Sequence, residues 1–252
     1  MRRFETYGVG IPRLDLEDLN GWLIVIEGTD RVGRSTHIGR LRQHLEQLGF
    51  AVAETGLTRS DLASRGLRRA KQGNTLGTNA FNLYYATDFA DRLERQIIPA
   101  LRAGFVMLTD RYVYSLIARA IVRGAHPDWI KRVYSFSLKP DAVFHLRIDV
   151  PELVPRVLEG GGFDYWESGM DIPMGEDLYD SFVAYQTRMI AELDVLGREY
   201  GFHTLDATRP LDEVAGVLAS RVEQLLEASV SGPPPTPAPT PAPTPTPTPA
   251  PR

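Results

Sequence analysis

There is no cysteine among the 252 residues. Its absence excludes disulfides, a thiolate nucleophile and any zinc site built on thiolates. The five histidines, His37, His44, His126, His145 and His203, are scattered, with no pair at metal-ligand spacing. Nowhere do eighteen apolar residues run together, so no stretch reads as a transmembrane helix. Met1-Arg2-Arg3 is basic, but no apolar segment of a secretory signal follows it. A net charge of −4 supplies no general electrostatic footprint for nucleic acid. The local run Arg65, Arg68, Arg69 and Lys71 reads first as a solvated helix face. These absences lead to the expectation of a cytoplasmic enzyme or binding protein with neither a membrane nor a nucleic-acid partner.

Apolar residues make up 43% and charged residues 24%, a balance that supports a globular core. The segment 231–252 is Pro, Thr and Ala almost throughout and cannot build a core; it is expected to extend as polyproline II. Residues 1–20, broken by Gly8, Gly10 and Pro12, read as an N-terminal arm lying on the domain. Between them, 21–230 is long enough for one domain with a proper core.

The chain is organised around Glu27-Gly28-Thr29-Asp30-Arg31-Val32-Gly33-Arg34-Ser35-Thr36. A short β-branched run, Trp22 to Ile26, precedes it as a buried strand. A helix follows, with Ile38, Leu41, Leu45 and Leu48 on one face and Gly49 as its stop. Strand, glycine loop and helix together form the setting of a phosphate-binding loop. Gly28 and Gly33 let the backbone curl so that successive N–H groups point inward, while the helix offers its unpaired N-terminal donors to an anion. The spacing matches G-x-x-x-x-G-K-[ST] except at Arg34, where the pattern has lysine. A guanidinium is longer and planar, so it would neutralise a phosphate from a different distance.

Further strands are expected at 50–55, 105–109, 142–148 and 202–205. Helices are expected over about 79–103, 113–122, 127–136, 151–158, 178–200 and 211–226. A glycine-rich loop, 160–176, has the glycines that a hinge would need. Strands alternate with helices throughout, which implies an α/β fold with a parallel sheet between helix layers. The strand at 105–109 delivers Asp110-Arg111-Tyr112 to the sheet edge where ligands sit in open parallel sheets. There, Asp110 beside Ser35 suits Mg²⁺, and the fork of Arg111 matches a phosphate.

These segments resemble those of the thymidylate kinases, which pass the γ-phosphoryl group of ATP to dTMP. The resemblance runs from about Gly21 to Leu226. It rests on the loop 27–36, Asp110-Arg111-Tyr112-Val113-Tyr114-Ser115, Leu138-Lys139-Pro140-Asp141, and Leu205-Asp206-Ala207-Thr208-Arg209-Pro210. It implies a P-loop nucleoside monophosphate kinase fold with a five-stranded parallel sheet and a lid at 160–176. Between Arg156 and Arg188 there is neither Lys nor Arg, so the lid brings no arginine to the phosphates, and Arg31 in the loop is expected to supply that charge.

By the same resemblance the donor site is Gly28, Thr29, Asp30, Arg31, Val32, Gly33, Arg34, Ser35 and Thr36, with ATP and Mg²⁺ as co-substrate and cofactor. Ser35 and Asp110 would place the metal. Arg111 would clamp the acceptor phosphate, Asp30 would receive its sugar hydroxyl, Tyr85 would stack on its base, and Arg59 is a further phosphate ligand. A homodimer is also implied. Phe89 stands where the family has an arginine facing the base, and Leu116 and Arg119 depart from its usual small, polar or aromatic residues. Two alternatives follow from these departures: a kinase for another nucleotide or small phosphorylated acceptor, and a degenerate nucleotide-binding scaffold in which Arg34 has replaced the catalytic lysine.

Overall fold

The computed structural model describes residues 4–73, 75–172 and 174–230. The Pro/Thr/Ala-rich segment 231–252 lies outside the described residues. Five parallel strands form one sheet in the order β2-β3-β1-β4-β5. They are β1 (Trp22–Gly28), β2 (Val52–Gly56), β3 (Val106–Asp110), β4 (Ala142–Arg147) and β5 (His203–Asp206). β1 is central, pairing with β3 and β4. Its residues Leu23 to Ile26 are fully buried, as a strand covered on both faces must be.

Side-chain alternation along the strands sorts the core into two layers. Leu23, Val25, Met107 and Val143 point to one side, and Ile24, Ile26, Leu108 and Phe144 to the other. The second layer is covered by α1 (Arg34–Gln47), α7 (Val150–Glu159) and α9 (Leu211–Val230), through Leu41, Leu153 and Leu218. The first is covered mainly by α3 (Thr78–Arg92), α5 (Val113–Val122), α6 (Pro127–Val133) and α8 (Leu178–Tyr200). A short α2 (Ser64–Gly73) inserts Leu67 at its edge. Phe4 and Leu19, in the segment before β1, are buried in the same layer, and Lys139 N–H donates to Glu5 O at 2.8 Å.

Local physics accounts for the differences from the sequence expectation. β2 begins at Val52, not at Phe50, because Gly49 takes φ 90° and Phe50 N–H closes the end of α1 on Leu45 O. The long helix expected over 79–103 is interrupted after α3 by a π turn, Leu93–Ile97, before α4 (Ile98–Arg102). Pro99 has no N–H for the carbonyl one turn back, which loosens the ladder there. α9 runs to Val230, beyond the expected 226.

Candidate active site

The glycine loop leaves β1 at the C-terminal edge of the sheet. Gly28, at φ 148°, lies so close to β4 that a β-carbon there would stand 2.7 Å from Leu146 O. Arg31 takes φ 63° and Gly33 φ 103°, the latter capping α1. α1 has no acidic residue in its first turn, so nothing there competes with an anion for its free N–H groups. These positive φ values permit the tight curl expected of a phosphate loop.

Arg34 does not extend into solvent. Its side chain is buried, with Nε donating to Asp110 Oδ1 at 2.6 Å and Nη1 donating to Gly28 O at 2.8 Å and to Thr29 O. The guanidinium therefore occupies the mouth of its own loop. Burial would raise the Asp110 pKa, but Arg34 overcomes it and holds the carboxyl below the usual range, with Arg111 and Arg59 assisting. Ser35 Oγ donates to the other Asp110 oxygen at 3.4 Å. A serine hydroxyl and a carboxylate oxygen side by side are hard donors of the kind Mg²⁺ takes alongside phosphate and water. These two residues fit the metal, using the oxygen that Arg34 leaves free. Among the described residues, no group of three His, Cys, Asp or Glu side chains could hold a metal ion by itself.

Arg31 is exposed and lies against the start of the lid: a β-carbon on Gly160 would come within 2.9 Å of its Nη1. Arg156, from α7, donates to Val32 O at 3.2 Å and Ala207 O at 2.7 Å. It ties the phosphate loop to the turn after β5.

The acceptor side is a cavity of about 280 Å³ beside the loop. At its inner end Asp30 is the hub of a cationic cluster. Arg111 donates to Asp30 Oδ1, Arg119 donates to Oδ2 at 3.0 Å, and Arg34 Nη2 stands 3.9 Å away. Burial acts to raise the Asp30 pKa, but Arg111, Arg119 and Arg34 together drive it far below the ordinary value. Arg111 itself is held at φ 67°, a conformation unfavourable for a side chain. Its N–H donates to Ile26 O at 2.9 Å, and the next N–H, of Tyr112, donates to the fully buried Glu27 at 2.8 Å. Ser115 Oγ donates to the second Glu27 oxygen at 2.5 Å. Glu27 thus fixes the strained turn and the start of α5, which aims Arg111 at the cavity.

Aromatic rings and the glycine-rich loop 160–176, the expected lid, line the rest of it. Trp166 from the lid stacks on Phe81 at 5.3 Å and 22°, and Phe81 meets Tyr85 edge to face at 5.0 Å. Arg123 clasps the lid: Nε and Nη2 donate to the two Asp171 oxygens at 2.7 and 3.0 Å, and Nη1 donates to Tyr185 Oη. Lys71 Nζ sits 5.2 Å from the Trp166 ring. Of the basic run on α2, Arg65, Arg68 and Arg69 are solvated, whereas Lys71 turns to the cavity. Burial, then Asp30 and Asp164, raise the Glu167 pKa to about 7.

Asp30, Arg59, Tyr85, Asp110 and Arg111 all line this cavity, and Arg34 and Ser35 meet at its junction with the loop. Phe89 does not line it. That ring is fully buried against Tyr112 and Tyr134, so the position faces the core and not a ligand. Sequence reasoning missed Asn82, Arg123, Trp166 and Glu167, and took Arg119 only as a departure. The spacing of Arg119 and Arg123, one turn apart on an otherwise apolar helix, was the available signal.

A phosphate loop at the carboxyl edge of a 2-3-1-4-5 parallel sheet, next to an arginine-lined cavity covered in part by the loop 160–176, defines a P-loop phosphotransferase of the nucleoside monophosphate kinase type. The family model described as Thymidylate kinase matches residues 26–216. The chain is 37% identical over 199 residues to a probable thymidylate kinase 2 of Saccharolobus solfataricus, covering 78% of this chain and 92% of that protein. It is 34% identical over 149 residues to a thymidylate kinase of Akkermansia muciniphila, covering 59% and 72%. It is 27% identical over 205 residues to a probable thymidylate kinase of Pyrobaculum aerophilum, covering 81% and 97%. The chain belongs to the thymidylate kinase family and is a phosphotransferase, so the scaffold alternative is not favoured. Among the described residues no helix is long and apolar enough to cross a membrane.

Proposed function

We propose that this chain transfers the γ-phosphoryl group of ATP to dTMP, giving ADP and dTDP, with the residues around Asp30 and Arg34 as its working parts. An oxygen of the acceptor phosphate bonds to the γ-phosphorus while the bond from that phosphorus to the β–γ bridging oxygen breaks. The observation that carries the reading is the Arg111–Asp30–Arg119 cluster, which sets a cationic floor in an aromatic cavity directly beside the phosphate loop.

Arg111 clamps the acceptor phosphate, and Arg59, folded over Gly56 at the end of β2, adds a second cation. Asp30 keeps its charge at neutral pH and orients the sugar hydroxyl. On the donor side Arg34 exchanges its contacts with Gly28 O and Thr29 O for phosphate oxygens, and the loop amides complete the cradle. Arg31 moves from Gly160 onto the transferring group, whose charge grows in the transition state. Ser35 Oγ and Asp110 Oδ2 would hold Mg²⁺, which when bound would neutralise phosphate charge. Little covalent chemistry is required of the protein, since alignment and charge supply most of the acceleration. A cytoplasmic homodimer, with 21–230 as the catalytic domain and 160–176 as its lid, belongs to the same proposal.

Coupled ADP release across a panel of nucleoside monophosphates, with Mg²⁺ present and absent, tests it. The expected result is Mg²⁺-dependent turnover with the highest kcat/KM for dTMP. No turnover above background with any acceptor would refute the enzyme, and a clear preference for another acceptor would refute the substrate.

A further inference from the structure

The loop that leaves β2 has little of the sheet to lean on. β2 is an edge strand and pairs only with β3, its last residue Gly56 standing beside Asp110. Beyond it Arg59 folds back over Gly56, where a β-carbon would lie 3.3 Å from its Nε and Cζ. The guanidinium is thereby set on the cavity wall with Asp110 and Arg111, although the residue itself is exposed. Thr58, just before it, takes φ 56°, a conformation rare for a β-branched residue. An exposed arginine on a strained edge loop keeps one direction only if its backbone is held from elsewhere.

Three side chains outside the cavity hold it. Asp88 on α3 accepts the Thr58 N–H at 3.1 Å with one oxygen and the Ser60 N–H at 3.3 Å with the other. Asp91 accepts from Ser60 Oγ at 2.7 Å. Gln96 accepts from Thr55 Oγ1 at 2.7 Å and donates to the Arg59 carbonyl at 3.3 Å. The chain is thus gripped before, at and after Arg59. Asp88 is 1% exposed, and Nε of the fully buried Arg92 meets its charge at 3.1 Å. The two other guanidinium nitrogens of Arg92 have no hydrogen-bond partner. A buried cation with unpaired donors is costly to keep, and what it supplies here is the counter-charge of Asp88. The π turn serves the same grip. On a regular α-helix Gln96 would stand roughly 80° round the axis from Asp88. Gln96 lies within Leu93–Ile97, where the wider turn takes an extra residue and closes most of that gap, so both side chains reach one loop.

We propose that Asp88, Asp91 and Gln96 are positioning residues for the reaction. None of them lines the cavity, and each acts through the loop 57–60 to aim Arg59 at the acceptor phosphate. This rests on the reading of the acceptor as a nucleoside monophosphate and adds what holds its second cation in place. The fold orders the arm in advance, so the arriving phosphate does not have to supply that ordering from its own binding energy.

A double-mutant cycle on the full-length protein tests it, with Kd for dTMP read by calorimetry and KM and kcat by coupled ADP release. Arg59→Ala is expected to weaken dTMP binding about tenfold, and Asp88→Asn and Gln96→Ala about fivefold each. The losses should fall on KM for dTMP and leave KM for ATP unchanged. With Arg59→Ala already present, the same two substitutions should cost less than about twofold, because the residue they aim is gone. Asp91→Ala should match Gln96→Ala, and Asp91→Asn, whose carbonyl oxygen still accepts from Ser60, should restore most of the loss. Gln96 is only half-buried, so its variant decides the matter even if Asp88→Asn does not fold. Unchanged dTMP affinity in Arg59→Ala would overturn the proposal, as would losses that add in full to that of Arg59→Ala or that appear equally in KM for ATP. Unmodified protein that binds no dTMP would instead refute that acceptor. The cycle is then read with the monophosphate that the panel favours, since Arg59 faces the phosphate all of them carry, and binding of none would overturn both readings.

Discussion

The two halves of the site handle charge in opposite ways. On the donor side the one loop cation is already bonded: Arg34 donates to carbonyls of its own loop and to Asp110 on β3, so a nucleotide must displace bonds already made. On the acceptor side the charges come from distant parts of the chain. Asp30, Arg111 and Arg119 meet on its wall, and two buried polar atoms of its lining, on Asn82 and Glu167, remain unpaired in a cavity that already exists. The donor cation is folded into its own loop and must turn outward, whereas the acceptor cations are already assembled around Asp30 on the wall of a formed cavity. Preorganisation lowers the cost of binding, so the acceptor half should tolerate change less well.

The sharpest way to break this contrast is at Arg111. Its replacement by Ala leaves Asp30 buried with one cation fewer and removes the acceptor clamp, so kcat/KM for dTMP should fall about 10³-fold, at the upper end for a single positioned charge. Steady-state kinetics with dTMP varied would show it, and a fall below about tenfold would mean that Arg111 is structural. The donor half is probed by Arg34→Lys. A compact ammonium cannot span Gly28 O, Thr29 O and Asp110 together, so the loop should open and kcat/KM for ATP should rise about tenfold. A decrease would show that the planar fork is needed in the transition state.

The smallest effect concerns pH. Glu167 binds its proton more tightly folded than unfolded, its pKa being raised from 4.5 to about 7. The folded state therefore holds the extra proton between those values, and this group's contribution to stability falls as pH rises through that window. Against the unmodified chain, Glu167→Gln should show a flatter dependence of the unfolding midpoint between about pH 4.5 and 7. Parallel curves for the two proteins would show that the carboxyl is not perturbed.

The same contrast governs what was legible in the sequence. The loop 27–36 reads directly because its geometry is set by consecutive residues, and the unbroken apolar run of β1 announces a strand buried on both faces. Asp110 and Arg111 stand at the end of β3, as the pattern predicts, because a strand end is a local property. Where a cap and a strand compete for one residue, as at Phe50, pattern alone cannot decide. The acceptor cavity was only half legible, since Asn82, Arg119, Trp166 and Glu167 come together through the packing of α3, α5 and the lid. Phe89 shows the limit most clearly. Four residues after Tyr85 it suggests a shared face, yet Tyr85 faces the cavity and Phe89 packs among Tyr112, Tyr134 and Phe136. The inward fold of Arg34 was equally hidden, because it depends on an aspartate 76 positions away.

Gly160 has a consequence of its own. It is the berth of Arg31, and a β-carbon there would push that exposed guanidinium aside. The berth is also the first residue of the lid. The charge meant for the transferring group is thus parked at the pivot where α7 ends, within the same loop system as the phosphates that would draw it across.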